Sequence, residues 1–481
     1  MPLLGSIGDR VDAALGESLE HLVVAHHRRR LRRIEWLAAL DAFGEGWAEG
    51  DPTPRSGTDV EILVDGAQAL PVIAEAIDGA LSSVWITGWY LSPSFRLRPD
   101  DGQTLLELLA EKARQVDLRV LLWAGSPLPL FHPDRHDLRR IRDELRHAGI
   151  RCALDDRERP MHCHHEKLVL VDGSTAFVGG IDLTHYAGDR LDRNDHPRRA
   201  DVGWHDAASR LRGPIVADVV EHFSMRWNEV TGEPLEDPEP PQEGGTIETQ
   251  LVRTVPEKIY RALPRGDFRI LESYGRALRS AQSLVYLESQ FLWSPEIVQI
   301  LAEKLRSPPV DEFRVVVLLP AKPNNGEEDS RGQLALLEDA DRGNERFLAC
   351  TLSQKGPGQA RPVYVHAKIG IVDDRWLTLG SANLNEHSLF NDTEVNIVVR
   401  ENPLVRETRL RLWSEHLECD PAELDLPPHD VVDNRWRPLA DEQLERRKRR
   451  EPQTRRLVRL PASSKRSARI FGPISGFLVD G

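Results

Sequence analysis

The sequence predicts an α/β protein of two tandem, pseudo-twofold-related repeats, each a mixed β-sheet flanked by helices, with one shared site at their interface. Two observations lead to this prediction. Apolar runs of strand length alternate with amphipathic stretches of helical period along most of the chain, an order typical of a sheet layered with helices. A string of His, Lys, Asp and Gly also occurs twice, and His366 and Lys368 follow His165 and Lys167 by the same 201 residues. Duplication of a whole domain therefore organises the chain.

Length and composition describe a globular chain of more than one domain. At 481 residues the chain exceeds what one ordinary core accommodates, and its 40% hydrophobic and 29% charged residues are close to average usage. We find no apolar run near the roughly 20 residues that span a bilayer, and no basic stretch followed by an apolar core at the amino terminus. We therefore expect a cytoplasmic protein without a spanning anchor.

Charge and cysteine usage exclude some classes of protein. The net charge of −14 disfavours indiscriminate nucleic-acid binding, although the positive charge is concentrated at the two ends of the chain. The four cysteines are scattered without Cys-x-x-Cys spacing, which argues against a disulfide framework and a zinc ribbon. We expect them to be ordinary thiols.

Composition shifts divide the chain into four parts. The stretch from Thr231 to Gly245 is rich in proline and acids and lacks periodicity, which is typical of a linker. We predict an N-terminal basic helical segment over 1–54, a first repeat over 55–235, the linker with a second repeat over 236–425, and a basic C-terminal tail over 426–481.

Predicted elements recur in the same order in the two repeats. The first repeat contains apolar strands at 84–90 and 118–123, helices at 67–81, 105–114 and 135–148, and then the strand that carries His165. In the second repeat, strands at 284–292 and 314–319 and a helix around 301–304 correspond to them. Insertions are confined to the connections.

The two basic ends each allow two interpretations. We expect a helix over 10–43, whose basic patch, residues 26–33, is either a solvated helix face or a contact with anionic lipid headgroups. Residues 446–469 hold eleven Lys or Arg against one acid, Glu451. This end is either a disordered tail or a segment that docks on the body or on a membrane through the apolar residues Leu457, Val458, Leu460, Ile470, Phe471, Ile474, Phe477 and Leu478.

The chemistry lies in the paired motifs. Side chains alternate along an extended strand, so His165 and Lys167 point to one side and Glu166 to the other. An imidazole is a competent nucleophile and a general acid or base near neutral pH. Two histidines thus permit a double displacement at phosphorus, and two lysines can stabilise the phosphoryl oxygens as a metal does elsewhere. We expect no metal and no other cofactor.

Further residues support each motif. Asp172 and Asp373 follow the lysines by five residues and are expected to orient the strand ends rather than touch a substrate. Small residues stand at equal distances beyond them in the two copies, namely Gly179 and Gly180 in the first and Gly380 and Ser381 in the second.

The paired H-x-K-x4-D-x6-G strings resemble the phospholipase D superfamily, over residues 55 to about 425. HHEKLVLVDGSTAFVGGIDLT, the Trp204–Asp206 and Tyr286–Gln290 stretches, and VHAKIGIVDD with GSANLNEHS are similar to its phosphatidylcholine-cleaving branch. The resemblance implies His165 as nucleophile and His366 as general acid, with Lys167 and Lys368 on phosphate oxygens.

The resemblance also implies a carboxylate behind each histidine, a place that Asp206 and Glu394 match, with surface acids at strand ends as the alternative. Asn383 matches the asparagine that donates to a phosphate oxygen. Its counterpart is Asp182, and an ionised aspartate only accepts hydrogen bonds. We expect Asp182 to contact another side chain or the headgroup.

Two groups near the motifs stay ambiguous. His162 and His164 share a strand face opposite His165 and lack a third partner in the sequence, which favours packing or solvent exposure over a metal site. Aromatic residues are either core or the lining of a cleft for acyl chains or a choline ammonium. They are Trp85, Trp89, Tyr90, Trp204, Phe291 and Trp293.

The predicted function is hydrolysis or headgroup exchange of glycerophospholipids, giving phosphatidic acid and an alcohol through a phosphohistidine. The alternatives are a nuclease, a phosphatidyl transferase of the cardiolipin synthase type, and a catalytically degenerate membrane-surface binding protein. We expect a phospholipid substrate, peripheral membrane contact through the basic ends, no nucleic-acid partner, and a monomer, because the duplication supplies the twofold within one chain.

Overall fold

The computed structural model describes residues 20–98, 102–128, 132–184, 203–235, 244–323, 327–354 and 361–462. Helix α1 covers residues 20–33 within this part, and a short helix α2 follows at Leu37–Leu40. The first repeat then contains strands β1 Arg55–Val64, β2 Ser83–Gly88, β3 Asp117–Trp123, β4 Arg151–Asp155, β5 Leu168–Val171, β6 Thr175–Gly179, β7 Gly203–His205 and β8 Ala207–Arg212. Its helices are α3 Asp65–Asp78, α4 Leu105–Lys112, α5 Arg135–His147 and α6 Ile215–Thr231.

The second repeat has most of the same elements in the same order. Its strands are β9 Ile247–Val255, β10 Asp267–Phe268, β11 Leu284–Glu288, β12 Arg314–Leu318, β13 Phe347–Gln354, β14 Arg361–Val365, β15 Ile369–Val372, β16 Trp376–Gly380 and β17 Glu394–Arg400. Its helices are α7 Arg269–Ser280, α8 Pro295–Arg306, α9 Glu327–Asp341 and α10 Pro403–Leu417, with a π-helical turn at His387–Asn391. It differs from the first repeat at β10, β14 and this π-helical turn. After it come a 3₁₀ turn at Pro421–Leu424, α11 Pro428–Val431, a π-helical turn at Val432–Trp436, α12 Arg437–Lys448 and β18 Leu457–Arg459.

Local sequence signals explain several helix ends. The side chain of Thr104 accepts from the backbone N–H of Glu107, whose carboxylate accepts in return from the Thr104 backbone, so a capping box begins α4. Asp134 begins α5 in the same way. Gly232, with φ of 74°, ends α6 in the left-handed conformation that favours glycine.

The two sheets share one strand order and one pattern of directions. The first runs β4-β3-β2-β5-β6-β8-β1 and the second β13-β12-β11-β15-β16-β17-β9. In each, the first three strands are parallel and the rest pair antiparallel. Antiparallel pairing of β1 with β9 joins the two sheets at their edges. The predicted fold class is therefore confirmed.

Three hydrophobic clusters fill the layers. One packs α3, α4 and α5 on the first sheet, and another packs α7, α8 and α9 on the second. The third contains α6, α10 and residues of both sheets, including Leu168, Val178, Ile369 and Leu379. Apolar burial of this extent, at roughly 25 cal/mol per Å², holds the repeats together. The site segments lie on this shared core.

The N-terminal basic patch packs against the second repeat. Helix α1 ends at residue 33, earlier than expected, and residues 10–19 lie outside the described part. His27 pairs with Glu296 at 2.7 Å, and the buried Arg30 pairs with Glu257 at 2.7 Å. Neither a solvated face nor a lipid contact describes these two residues, because α1 lies on the second-repeat core through Leu31.

The C-terminal segment docks on the body as far as it is described. Strand β18 pairs antiparallel with β13, and Leu457, Val458 and Leu460 are buried. Trp436 is buried in the core that the two repeats share. The apolar residues predicted between 470 and 478 lie outside the described residues. Within the described ranges, none of the helices has both the length and the apolar character needed to cross a bilayer.

Candidate active site

The two His-x-Lys motifs occupy short extended segments that end where β5 and β15 begin. The prediction that His165 and His366 lie on these strands is wrong by a few residues. The reason is a backbone pairing between repeats: the N–H of His165 donates to the carbonyl of Thr393 at 3.0 Å, and the N–H of His366 donates to the carbonyl of His205 at 2.7 Å. Each acceptor directly precedes a carboxylate, so this pairing sets the geometry of the site.

Each histidine is held by a carboxylate from the other repeat. Nδ1 of His165 lies 3.1 Å from Oε1 of Glu394, and Nδ1 of His366 lies 2.7 Å from Oδ2 of Asp206. All four residues are buried. A carboxylate at Nδ1 fixes the ring orientation and directs Nε2 to the opposite side, where a reaction can take place.

The Glu394 carboxyl is surrounded by hydroxyls. Ser381 and Ser388 each donate to it at 2.5 Å. Burial, reinforced by the charge of Asp392, raises the pKa of Glu394 to about 8, although Lys167 acts in the opposite direction. This carboxyl therefore prefers the neutral form until a positive charge develops beside it.

Asp206 is held differently. Its Oδ1 accepts the backbone N–H of Ala207 at 2.8 Å, and a Cβ at Gly180 would lie 2.2 Å from the same oxygen. Only glycine permits this approach, whereas the corresponding Ser381 donates to Glu394. Burial and the ammonium of Lys368 lower the pKa of His366 to about 3, so its imidazole is neutral without substrate.

Both lysines are anchored by the backbone of their own motif. Nζ of Lys167 donates to the carbonyl of His165 at 2.6 Å, and Lys368 donates to the carbonyl of His366. Lys167 also forms an ion pair with Asp182 at 3.2 Å. Its charge lowers the pKa of His366 as well. The first-repeat lysine thus acts on the second-repeat histidine, which places both motifs at one site.

The counterparts Asp182 and Asn383 have different surroundings. Asn383 donates to Oε1 of Gln290 at 3.3 Å, and Lys368 approaches the same oxygen at 3.5 Å. Asp182 contacts Lys167, as expected of a side-chain partner, and its Oδ1 has no hydrogen-bond partner among the described residues. Burial raises the pKa of Asp182, while the Lys167 charge opposes the rise. The twofold symmetry is broken at this position.

Asp172 and Asp373 hold strand ends away from the reacting groups. Each adopts a left-handed φ of 54°. Asp172 accepts from the backbone N–H groups of residues 81–83, and Asp373 accepts from those of residues 282–284. Gly179 and Gly380 are the last residues of β6 and β16.

The opposite side of the first motif is also polar. Glu166 accepts from Nε2 of His222 at 2.7 Å and pairs with Arg226, which reaches Asp155 at 2.7 Å. In the second repeat Ala367 stands in place of Glu166 and is buried among apolar residues. The alternation of side chains therefore holds beyond the strand itself.

The aromatic residues separate into core and site. Trp85 stacks on Phe223 within the shared core, and Phe291 and Trp293 are buried against each other. Trp204 lies against the His366 ring, with centroids 5.0 Å apart. Trp89 stacks on Trp123. Tyr90 lines a gap beside Lys167 and Asp182.

The chain is similar to several known proteins. A family model described as cardiolipin synthase, PLD-like domain, matches residues 274–414. Phospholipase D A of Dictyostelium discoideum is 27% identical, over 79% of this chain and 37% of that protein, and phospholipase D2 of Bos taurus is 26% identical, over 73% and 50%. The crystal structure of phosphatidylserine synthase of Haemophilus influenzae Rd KW20 has a TM-score of 0.52 at 13% identity, covering 84% of this chain and 97% of that one. The chain is thus similar to phospholipase D proteins over about three quarters of its length.

The two curated phospholipase D relatives are longer proteins, since the chain spans half of their length or less. The similarity to the phosphatidylserine synthase structure concerns the fold.

Sequence reasoning did not identify several residues that support this phospholipase D-like site. His205 is fully buried between Asp65 at 2.9 Å and Glu288 at 2.8 Å, and Glu288 also contacts His416 at 3.0 Å. The carbonyl of His205 receives the His366 N–H. No spacing in the sequence links these residues, because they come from four separate elements.

The expectation that His162 and His164 share one face is also wrong. Nδ1 of His164 lies 2.8 Å from the Thr393 hydroxyl, and its Nε2 lies 3.2 Å from Asp155. His162 instead faces His387 and Asp392. The segment leaves its sheet here, so strand alternation does not apply to both residues.

Proposed function

We propose that the chain is a phospholipase D-type phosphodiesterase that cleaves glycerophospholipids to phosphatidic acid and an alcohol through a phosphohistidine. One observation carries this proposal: two buried histidines, each oriented by a carboxylate of the other repeat, share a site with two lysines. A double displacement at phosphorus requires a nucleophile, an acid and cations that stabilise the phosphoryl oxygens, and the two histidines and two lysines supply these groups.

In the first step, Nε2 of His165 attacks phosphorus and the bond from phosphorus to the headgroup oxygen breaks. Positive charge that develops on the His165 ring is stabilised by Glu394 across the 3.1 Å contact at Nδ1. Lys167 and Lys368 stabilise the non-bridging oxygens, and Asn383 donates to one of them. His366 gives its proton to the departing alkoxide, which leaves as the alcohol.

His366 takes up its proton from solvent when the substrate binds. In the free site, burial and Lys368 lower the pKa of His366. A phosphodiester anion between the lysines offsets their charge and favours the imidazolium, which Asp206 holds at 2.7 Å. Acid catalysis is thus coupled to binding of the anion.

In the second step, His366 takes a proton from water as the water oxygen attacks phosphorus. The bond between phosphorus and Nε2 of His165 breaks, phosphatidic acid leaves, and both histidines return to their starting state. An alcohol in place of water gives headgroup exchange. The match to a family model described as cardiolipin synthase, PLD-like domain, favours including an alcohol acceptor in the assay.

A lipid substrate agrees better with the chain than a nucleic acid. The curated relatives are named as phospholipases D. A net charge of −14 opposes a polyanion, whose binding requires a groove of basic residues. Basic side chains at the C-terminal end of α12, Lys448 and the C-cap Arg449, lie on the surface and offer a contact for anionic headgroups.

The test measures headgroup release from phosphatidylcholine vesicles by the full chain, with and without a primary alcohol. We expect phosphatidic acid, and a phosphatidyl alcohol when the alcohol is present. His165→Ala and His366→Asn should each lower turnover at least about 10³-fold. Cleavage of single-stranded oligonucleotide without lipid turnover would overturn the proposal.

The leaving group separates the two histidine roles. A p-nitrophenyl phosphodiester departs without an acid, so His366→Asn should recover most of its loss on this substrate in the burst phase. His165→Ala should not recover, because no nucleophile remains. The reverse pattern would exchange the two roles, and equal losses on both substrates would refute the division of labour.

A further inference from the structure

Beside the proposed active site, three metal-ligating side chains from both repeats converge. Nδ1 of His162 lies 3.0 Å from Nδ1 of His387 and 3.4 Å from Oδ1 of Asp392, and Nδ1 of His387 lies 4.0 Å from Oδ2 of Asp392. Ligand atoms around a tetrahedral zinc ion, with bonds of about 2.1 Å, are about 3.4 Å apart. The first two separations are close to this value, and one ligand atom from each of the three residues lies within 4.8 Å of the other two.

The local backbone builds this arrangement. The π-helical turn His387–Asn391 brings residues five apart together, because the N–H of Asp392 donates to the carbonyl of His387 at 2.8 Å. Such turns occur frequently at functional sites. Helix α1 supports the turn, since Arg30 donates to the carbonyl of Phe390 at 2.8 Å and His27 stacks on the Phe390 ring.

A second observation points to a ligand at this place. Asp392 is fully buried, and its Oδ1 is fixed by the backbone N–H of Cys163 at 2.9 Å. Its Oδ2 has no hydrogen-bond partner in the described part of the chain. A buried carboxylate oxygen without a partner is costly. A direct hydrogen bond between the two imidazoles explains their 3.0 Å contact but not this oxygen.

The exposure of His162 and the charges around it allow a cation to bind. The side chain of His162 is 12% exposed, so an ion can enter from solvent and retain a water. The nearby Arg159 is paired with Glu257 at 3.3 Å, which offsets its positive charge. Two imidazole nitrogens and one carboxylate oxygen form a ligand set that divalent first-row transition ions, zinc above all, accept with one position open.

We propose that His162, His387 and Asp392 bind one divalent transition-metal ion that ties the two repeats together. His162 is three residues before His165, and Asp392 is two before Glu394, so the ion joins the segments that carry the first histidine–carboxylate pair. The role is structural cross-linking next to the catalytic groups. The inference does not depend on which phosphodiester the chain cleaves.

The experiment titrates chelator-treated full chain with Zn²⁺ by calorimetry and with Co²⁺ by visible absorption. We expect one equivalent at micromolar or tighter affinity, a Co²⁺ spectrum of four- or five-coordination, and a rise in melting temperature with Zn²⁺. His162→Gln, at the most exposed ligand, should weaken binding by about 100-fold or more and abolish the rise. His162→Asp should restore part of both, because it returns a ligand.

Two control variants decide where the ion binds. His132→Gln removes a member of an exposed trio with Asp134 and Asp137 and should leave the equivalent unchanged. His165→Ala removes a catalytic imidazole and should also leave it unchanged. The absence of a stoichiometric equivalent in the chelator-treated chain, equal binding by His162→Gln, or loss in His165→Ala or His132→Gln would each overturn the proposal. His387→Asn should behave as His162→Gln does, and circular dichroism checks that each variant is folded.

Discussion

Replacing Asp206 by Asn tests the crossed pairing where its geometry is most restrictive. The carboxylate is fully buried and uses both oxygens: Oδ2 faces Nδ1 of His366 at 2.7 Å, and Oδ1 accepts the N–H of Ala207 at 2.8 Å. An asparagine has one acceptor oxygen, so either orientation loses one of these contacts. An amide NH2 group turned towards His366 requires an unprotonated Nδ1, so it disfavours the imidazolium that acts as the acid.

The two losses have different sizes. One buried N–H left without an acceptor costs about 1–3 kcal/mol of folding free energy. A wrong tautomer, or an imidazolium without its carboxylate, lowers turnover by about 10² to 10⁴-fold, by analogy with the catalytic triad of serine proteases. We therefore expect a folded Asp206→Asn enzyme whose kcat falls by at least 10²-fold, with a smaller change in KM.

The assay compares phosphatidylcholine with a p-nitrophenyl phosphodiester in the burst phase. Because Asp206 acts through the acid His366, the loss should shrink on the activated substrate, which a merely destabilised enzyme would not show. Asp218→Asn is the matched control, since Asp218 is a buried carboxylate paired with Arg55 at 2.8 Å away from the motifs. Equal losses on the two substrates, or a comparable kcat loss in Asp218→Asn, would refute the reasoning.

Three further predictions concern stability. Burial and Lys368 lower the pKa of His366 in the folded chain to about 3, so between that pH and 6.5 only the unfolded chain binds the proton, and the free energy of unfolding falls as the pH drops, by at most about 5 kcal/mol. Urea denaturation from pH 7.5 to 4.5 should therefore depend less on pH in His366→Gln than in the unchanged protein. An unchanged pH dependence contradicts the assignment. Arg30→Ala should lower the free energy of unfolding by about 3 kcal/mol in the same assay, because it removes a buried partner of Glu257. Arg28 pairs with Asp41 at the surface, so Arg28→Ala should lower it by less than about 1 kcal/mol. Similar losses in the two variants would contradict the docking of α1. Asp373→Ala should lower the free energy of unfolding by about 2–3 kcal/mol, because it removes the acceptor of three backbone N–H groups at a residue with left-handed φ. Asp373→Asn keeps an acceptor and should lower it less. Thermal melting that ranks the two variants the other way would contradict this role.

Sequence reasoning recovered the features whose cause is local. The strand predicted at 118–123 is β3, Asp117–Trp123, because a short apolar run defines it. The helix predicted at 135–148 is α5, Arg135–His147, because helical periodicity and a capping residue define it. The constant offset of the two motifs predicted the duplication, and both sheets have the same strand order. Periodicity and repetition can be read from one chain without any knowledge of its contacts.

Features that depend on contacts between distant residues were not predictable. Nothing in the sequence indicates that Glu394 belongs to His165 and Asp206 to His366, because the exchange results from backbone pairing between repeats. The same holds for His162, whose partners come from a π-helical turn more than 220 residues later. The buried side of the basic patch was missed for a related reason, since Glu296 and Glu257, the acidic partners of His27 and Arg30, lie in the second repeat.

The crossed pairing explains why the duplication is indispensable while the halves are free to diverge. One repeat alone has a histidine without its carboxylate, so selection must keep both. The contact at each histidine, however, depends on different neighbours: Glu394 reaches back to two serine hydroxyls, whereas the shorter Asp206 requires a glycine at 180 and a backbone N–H. Exchanging the carboxylates would therefore place a longer acid at position 206, where the close approach of residue 180 leaves no room for it. The same divergence put Asp182 opposite Asn383, so Lys167 pairs with a carboxylate at a position where the second repeat has an amide. A symmetric scaffold thus gives its two histidines unequal surroundings, which is what a nucleophile and an acid require.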